Sequence, residues 1–121
     1  MVAHIVLFRP RPDLSHADRL AFIHAFETAL TEIPGIRRVR IGRRLRHGRD
    51  YERLMAENME YALVLEFDDL SGLRGYLEHP AHDEVGARFN ASIAAGYVYD
   101  YEVRDEAALG ELLAVSSGGQ S

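Results

Sequence analysis

Apolar and polar positions alternate along parts of this chain with a period of two and along others with a period near 3.6. Residues 3–9, AHIVLFR, form a short β-branched and aromatic run closed by Pro10 and Pro12, which predicts a strand. His4, Val6 and Phe8 share one face of it, Ile5 and Leu7 the other. Both faces are largely apolar, so the strand is expected to be covered on both sides. The rhythm then changes. Ser15 with Asp18 three residues on resembles a capping box. Leu20, Ile23, Phe26, Leu30 and Ile33 recur at helical spacing, with Phe22 and Ala29 widening the stripe. Pro34-Gly35 ends the pattern, predicting a helix over 15–33.

Residues 36–47 alternate again, with Val39, Ile41 and Leu45 opposed to Arg38, Arg40, Arg44 and Arg46, as in a half-exposed strand. The polar stretch HGRDYERLMAENM predicts a loop with room for a turn of helix. A third strand is expected over 60–67, with Tyr61, Leu63, Leu65 and Phe67 on one face. Asp68 or Asp69 caps a second helix that ends at Pro80. A third helix over about 81–94 carries Val85, Phe89 and Ile93 at i, i+4, i+8. In residues 96–104, Tyr97, Tyr99, Tyr101 and Val103 alternate with Val98, Asp100 and Glu102, predicting a fourth strand. The tail, 105–121, opens as a weak amphipathic helix (Leu109, Leu112, Leu113) and ends in SSGGQS, where disorder is expected.

The order β-α-β-β-α-α-β predicts an α+β, ferredoxin-like fold over residues 1–104: a four-stranded antiparallel sheet with helices on one face. The other face keeps large apolar groups on its first and fourth strands. At roughly 25 cal/mol per Å² of apolar burial, that face should drive a homodimer packed sheet against sheet. The tyrosine stripe suits such an interface better than a substrate site.

Composition narrows the chemistry. The chain has 121 residues, a size that fits one domain. It has no cysteine, so disulfides and thiolate catalysis are excluded. All 14 of its Lys and Arg positions are arginine, which removes a lysine Schiff base. The N-terminal apolar run is too short for a signal peptide, and no run approaches the ~20 residues of a membrane span. A soluble, cytoplasmic protein without a membrane partner is expected. The formal charge of −5 argues against nucleic acid. The run RRVRIGRRLRHGR could grip an anion, but its alternation fits a solvated strand face better.

The densest chemical signal is YLEHPAHDEV, residues 76–85. A histidine near pH 6.5 can accept a proton at neutral pH, and a tyrosine hydroxyl can donate to a developing enolate oxygen. His82 and Tyr76 therefore suit proton abstraction beside a carbonyl, if the chain reverses at HPA. The same residues also suit a non-catalytic ligand pocket, or plain structure. His79 and His82, joined by His4, could be metal ligands, but Pro80 disturbs their spacing and no carboxylate is an evident third ligand. No metal and no cofactor are expected.

HIVLF, VLEF, YLEHPAH and the closing tyrosine-rich strand together resemble the stress-responsive α/β-barrel domain family, over nearly all of residues 2–104. The resemblance implies a dimeric α/β barrel. Many members of this family have no assigned reaction. One plant member closes a linear polyketide thioester by an intramolecular aldol step, with a histidine base and a tyrosine that holds the carbonyl. Those positions match His82 and Tyr76, and a further pocket histidine matches His4. Two positions depart from that cyclase: Tyr61 stands in place of a histidine and Phe26 in place of a tyrosine. The resemblance thus implies a ligand pocket between sheet and helices that includes His4, Tyr61 and Phe26. Two functions stay open: binding of a small apolar or carbonyl ligand without assigned turnover, and a cofactor-free, polyketide cyclase-like reaction.

Overall fold

The computed structural model describes residues 1–114. The expected disorder of SSGGQS lies outside the described residues. The elements follow in the order β1 (Val2–Pro10), α1 (His16–Glu32), β2 (Ile36–Arg43), α2 (Tyr51–Leu54), β3 (Tyr61–Phe67), α3 (Leu70–Glu78), α4 (Pro80–Ser92) and β4 (Ile93–Glu102). A 3-10 turn (Glu106–Ala108) and α5 (Leu109–Ala114) complete it. The strands form one antiparallel sheet in the order β2-β3-β1-β4. This is the ferredoxin-like α+β architecture that the element order predicts.

Local chemistry sets the element ends. The Ser15 side chain accepts the Asp18 amide and opens α1. Pro34-Gly35 follows the last turn, and Gly35 takes a φ of 93°, a left-handed conformation that favours glycine. Asp69, not Asp68, caps α3 by accepting the Gly72 amide. Pro80 begins α4 rather than merely ending the helix before it: its missing N–H costs nothing in the first turn. The His79 ring caps that helix, with Nδ1 accepting the Ala81 amide at 3.0 Å.

The helices cover the sheet face that carries Val6, Phe8, Leu63, Leu65 and Phe67. These residues pack with Ala25, Ala29, Ile33, Leu73, Tyr76 and Val85. The buried stripe of α1 is rotated from the expected one. Leu20 and Ile23 are exposed, while Ala25 and Ala29 are buried and Phe22 and Phe26 pack at the core's margin. Two alanines one turn apart let α1 lie close along α4, and the phenylalanines then reach down to the sheet. Strand β2 ends at Arg43, before Leu45, and its Val39 and Ile41 are exposed although they share the helix-facing side with Leu65 and Leu63.

The opposite sheet face carries Ile5 and Leu7, paired with Tyr99 and Tyr97. Tyr97, Tyr99 and Tyr101 form a run of neighbouring rings with centroids 6.2 and 6.3 Å apart. All three are exposed. Among the described residues, no helix is long and apolar enough to cross a membrane.

Candidate functional site

The register of β1 against β4 sets His4 beside Asp100. His4 is 5% exposed, and its Nδ1 lies 2.6 Å from Asp100 Oδ1. A carboxylate this close fixes the orientation of the imidazole. On the helix side of His4 stands Tyr76 from α3, edge to face, with ring centroids 5.7 Å apart. Tyr76 in turn meets His82 from the first turn of α4, with centroids 4.7 Å apart and planes at 65°. The reversal at His79-Pro80 is what makes this possible. The two residues sit on different helices, and the break between them folds His82 back onto the phenol.

The three rings form one end of a chamber of about 180 Å³ between sheet and helices. Among the described residues, they are its only polar lining. Val6, Leu63 and Leu65 make its floor, Phe22 and Phe26 of α1 its far wall, and Val85, Gly86 and Phe89 its α4 side. Gly96 shapes that wall from β4. A Cβ there would stand 3.0 Å from the Ile93 side chain and 3.3 Å from the Phe89 ring, so a larger residue would displace the aromatic wall.

Burial sets the proton affinities. It pushes the Tyr76 hydroxyl up to about 12, so that group stays protonated and can only donate or accept a hydrogen bond at neutral pH. It also lowers the His82 imidazole below its usual 6.5. The neighbouring His4 ring acts in the same direction, and Asp83 opposes them. A neutral His82 is a competent proton acceptor. Among the described residues, no buried side-chain nitrogen or oxygen lacks a hydrogen-bond partner.

His4, Tyr76, His82 and Phe26 thus come together. Tyr61 does not join them: it stacks on Phe8 at 5.5 Å and faces a separate cleft with Arg9, Arg11 and Arg19. Its place at the first residue of β3 sets it two residues before Leu63, beyond the chamber. His79 is turned away as a helix cap. Among the described residues, no three His, Asp or Glu side chains gather as metal ligands. Asp100 is the participant that sequence reasoning missed. Its only signal was alternation, which sets it opposite the tyrosine stripe; its partner lies 96 positions away.

Several solved structures share the fold. A dimeric ferredoxin-like protein of unknown function from Thermobifida fusca is 25% identical, covering 84% of this chain and 90% of its own, with a TM-score of 0.64. A dimeric protein of unknown function with a ferredoxin-like fold from Bacteroides fragilis is 29% identical, covering 84% and 95%, with a TM-score of 0.58. A hydroxynitrile lyase from Passiflora edulis is 18% identical, covering 86% and 94%, with a TM-score of 0.72, and shares the fold alone. No curated protein matches the chain. The model of the stress responsive A/B barrel domain (Dabb) matches residues 2–103, and the chain belongs to that family.

Proposed function

We propose that this protein binds a small, predominantly apolar carbonyl compound in the chamber between sheet and helices. The observation that carries the reading is the convergence of Tyr76 and His82 at one end of a cavity whose other walls are hydrocarbon. Orientation would come from the phenol donating to the carbonyl oxygen, and affinity from the phenylalanines. At about 180 Å³ the chamber falls below the ~300–1,000 Å³ of drug-sized sites. The ligand is therefore small, or only its reactive end enters. The protein works as a homodimer packed through the open sheet faces, in keeping with its dimeric structural neighbours and with the exposed tyrosine stripe.

A second reading adds proton transfer at the same place, where the Tyr76 and His82 rings meet with centroids 4.7 Å apart. His82 would take a proton from the carbon beside the carbonyl. Tyr76, still protonated, would hold the enolate oxygen that forms. A polyketide cyclase-like aldol closure needs these two roles and no cofactor. The lyase among the neighbours shows that this fold can house an enzyme.

Thermal shift with a panel of apolar ketones and aldehydes, each matched to a hydrocarbon of the same shape, tests the binding. A ketone at ~100 Kd should stabilise the wild type by about 2.7 kcal/mol. His82→Ala should reduce that effect, and Tyr76→Phe should abolish the preference for ketone over hydrocarbon. Equal response to both members of each pair would contradict the reading. For the second reading, NMR in D₂O should show exchange of the ketone's α-hydrogens with wild type and not with His82→Ala. Absence of exchange with a bound ketone ends it.

A further inference from the structure

Where β1 ends and β3 begins, the fold holds a second cavity. It lies among Arg9, Arg11, Arg19, Glu60 and Tyr61 and measures about 300 Å³. Three guanidinium groups thus share one cleft with one carboxylate, in a chain whose overall charge is −5. The cleft and the chamber are neighbours but not one space. Tyr61 lines the cleft and stacks on Phe8 at 5.5 Å, and Phe8 packs in turn against Phe22 and Phe89, which line the chamber. A layer of aromatic rings therefore separates the two.

The backbone shapes this cleft. A regular strand would send Arg9 and Arg11 to one face and Pro10 to the other. Here the register of β1 against β4 shifts between Arg9 and Pro10, and Arg9, Pro10, Arg11 and Pro12 all line the cleft. An irregularity of this kind re-aims side chains at the end of a sheet. Pro10 and Pro12 restrict the backbone on either side of Arg11, whose own amide donates to the Ser92 carbonyl at 2.9 Å. The main chain that carries Arg9 and Arg11 is thus fixed before any ligand arrives, which lowers the ordering cost of binding. Arg19 comes from another element, near the start of α1.

The partners these arginines have within the chain are weak ones. Arg9 donates to the Asn58 carbonyl at 3.2 Å and lies 3.5 Å from Glu57, and Arg11 lies 3.2 Å from Asp13. Both ion pairs are exposed, and exposed pairs contribute little. Among the described residues, Arg19 pairs with no carboxylate. A phosphate group suits this excess of cations better than the single carboxylate Glu60 does. It carries close to two charges, and the planar fork of a guanidinium grips two of its oxygens with parallel N–H donors. We infer that the cleft binds the phosphate of a small molecule distinct from the chamber's ligand, with Arg9, Arg11 and Arg19 as its anion contacts.

Isothermal titration calorimetry of the full chain with pyrophosphate, at an ionic strength held constant with sodium chloride, tests this. The wild type should take up pyrophosphate saturably, and acetate should bind about tenfold more weakly or less, because it offers one charge to three cations. Arg19→Gln should weaken pyrophosphate binding by about tenfold, the usual scale for losing one charge-assisted contact. Combining it with Arg11→Gln should abolish measurable binding. Arg74→Gln, which removes an exposed arginine of α3 outside the cleft, should leave binding unchanged. Wild-type heat no larger than that of added chloride would overturn the inference, as would acetate binding as tightly as pyrophosphate. So would an equal loss in Arg74→Gln and Arg19→Gln, since the attraction would then be diffuse and not the work of this cleft.

Discussion

On the helix side of the sheet, Leu65 and Phe67 are sealed completely, and a buried histidine is held by a carboxylate. On the other side of the same strands, Ile5 and Leu7 are half-buried, and Tyr97, Tyr99 and Tyr101 stand in solvent. Both sides are apolar, but among the described residues only the helix side is covered. The helices that seal the first side also leave a gap beneath them, with Tyr76 and His82 at one end and Phe22, Phe26 and Phe89 along its walls. The covered face thus combines core and chamber, and the open face is where the proposed homodimer contact would lie.

Three substitutions probe that contrast, beginning with the largest effect. Phe67→Ala removes a fully buried ring that packs on Tyr76 at 5.5 Å. It should cost about 3–5 kcal/mol in urea denaturation, because the cavity left behind adds to the lost transfer energy. A cost near zero would mean that the helix-side core is not what holds the fold. Tyr99→Glu places a charge in the middle of the open face. Sedimentation should show the dimer weakened by about 2 kcal/mol or more, roughly thirtyfold in Kd, as for a central anchor. Far-UV circular dichroism should stay unchanged. An unaltered dimer would move the interface off this face.

The smallest effect is the most specific to the site. The lowered His82 pKa means that the unfolded chain takes up that proton more readily than the folded one. Stability should therefore be unpenalised at neutral pH and fall as pH drops through 6.5 toward the lower folded value. His82→Ala should flatten that part of the profile relative to wild type. Identical slopes for the two proteins between pH 7 and 5 would contradict a desolvated His82.

Much of this architecture was legible in the chain before any coordinates. Alternation located the four strands and separated the tyrosine stripe from Val98 and Asp100, and short-range chemistry marked Ser15, Pro34-Gly35 and Pro80 as helix limits. Those signals are local, and each depends on residues within four positions. Helical periodicity places Ala29 and Ile33 correctly on the buried face of α1, but bulk misleads at Leu20 and Ile23, which are exposed, while close approach to α4 buries Ala25. His82 and Tyr76 were identifiable because the turn between them is short. The His4–Asp100 pair was not, since it depends on the register of two strands at opposite ends of the sequence. Tyr61 misled for a related reason. It shares a face with Leu63 and Leu65, but one step along the strand takes it past the chamber's end.

A carbonyl ligand in the proposed position would sit against His4, Tyr76 and His82. Histidine ring NMR tests it most directly, because the chain has six histidines and only two line the chamber. Titration of the labelled protein with an apolar ketone should shift the His4 and His82 ring resonances and leave His16, His24 and His47 in place. Saturable shifts confined to the latter three, with His4 and His82 unmoved, would place the ligand outside the chamber.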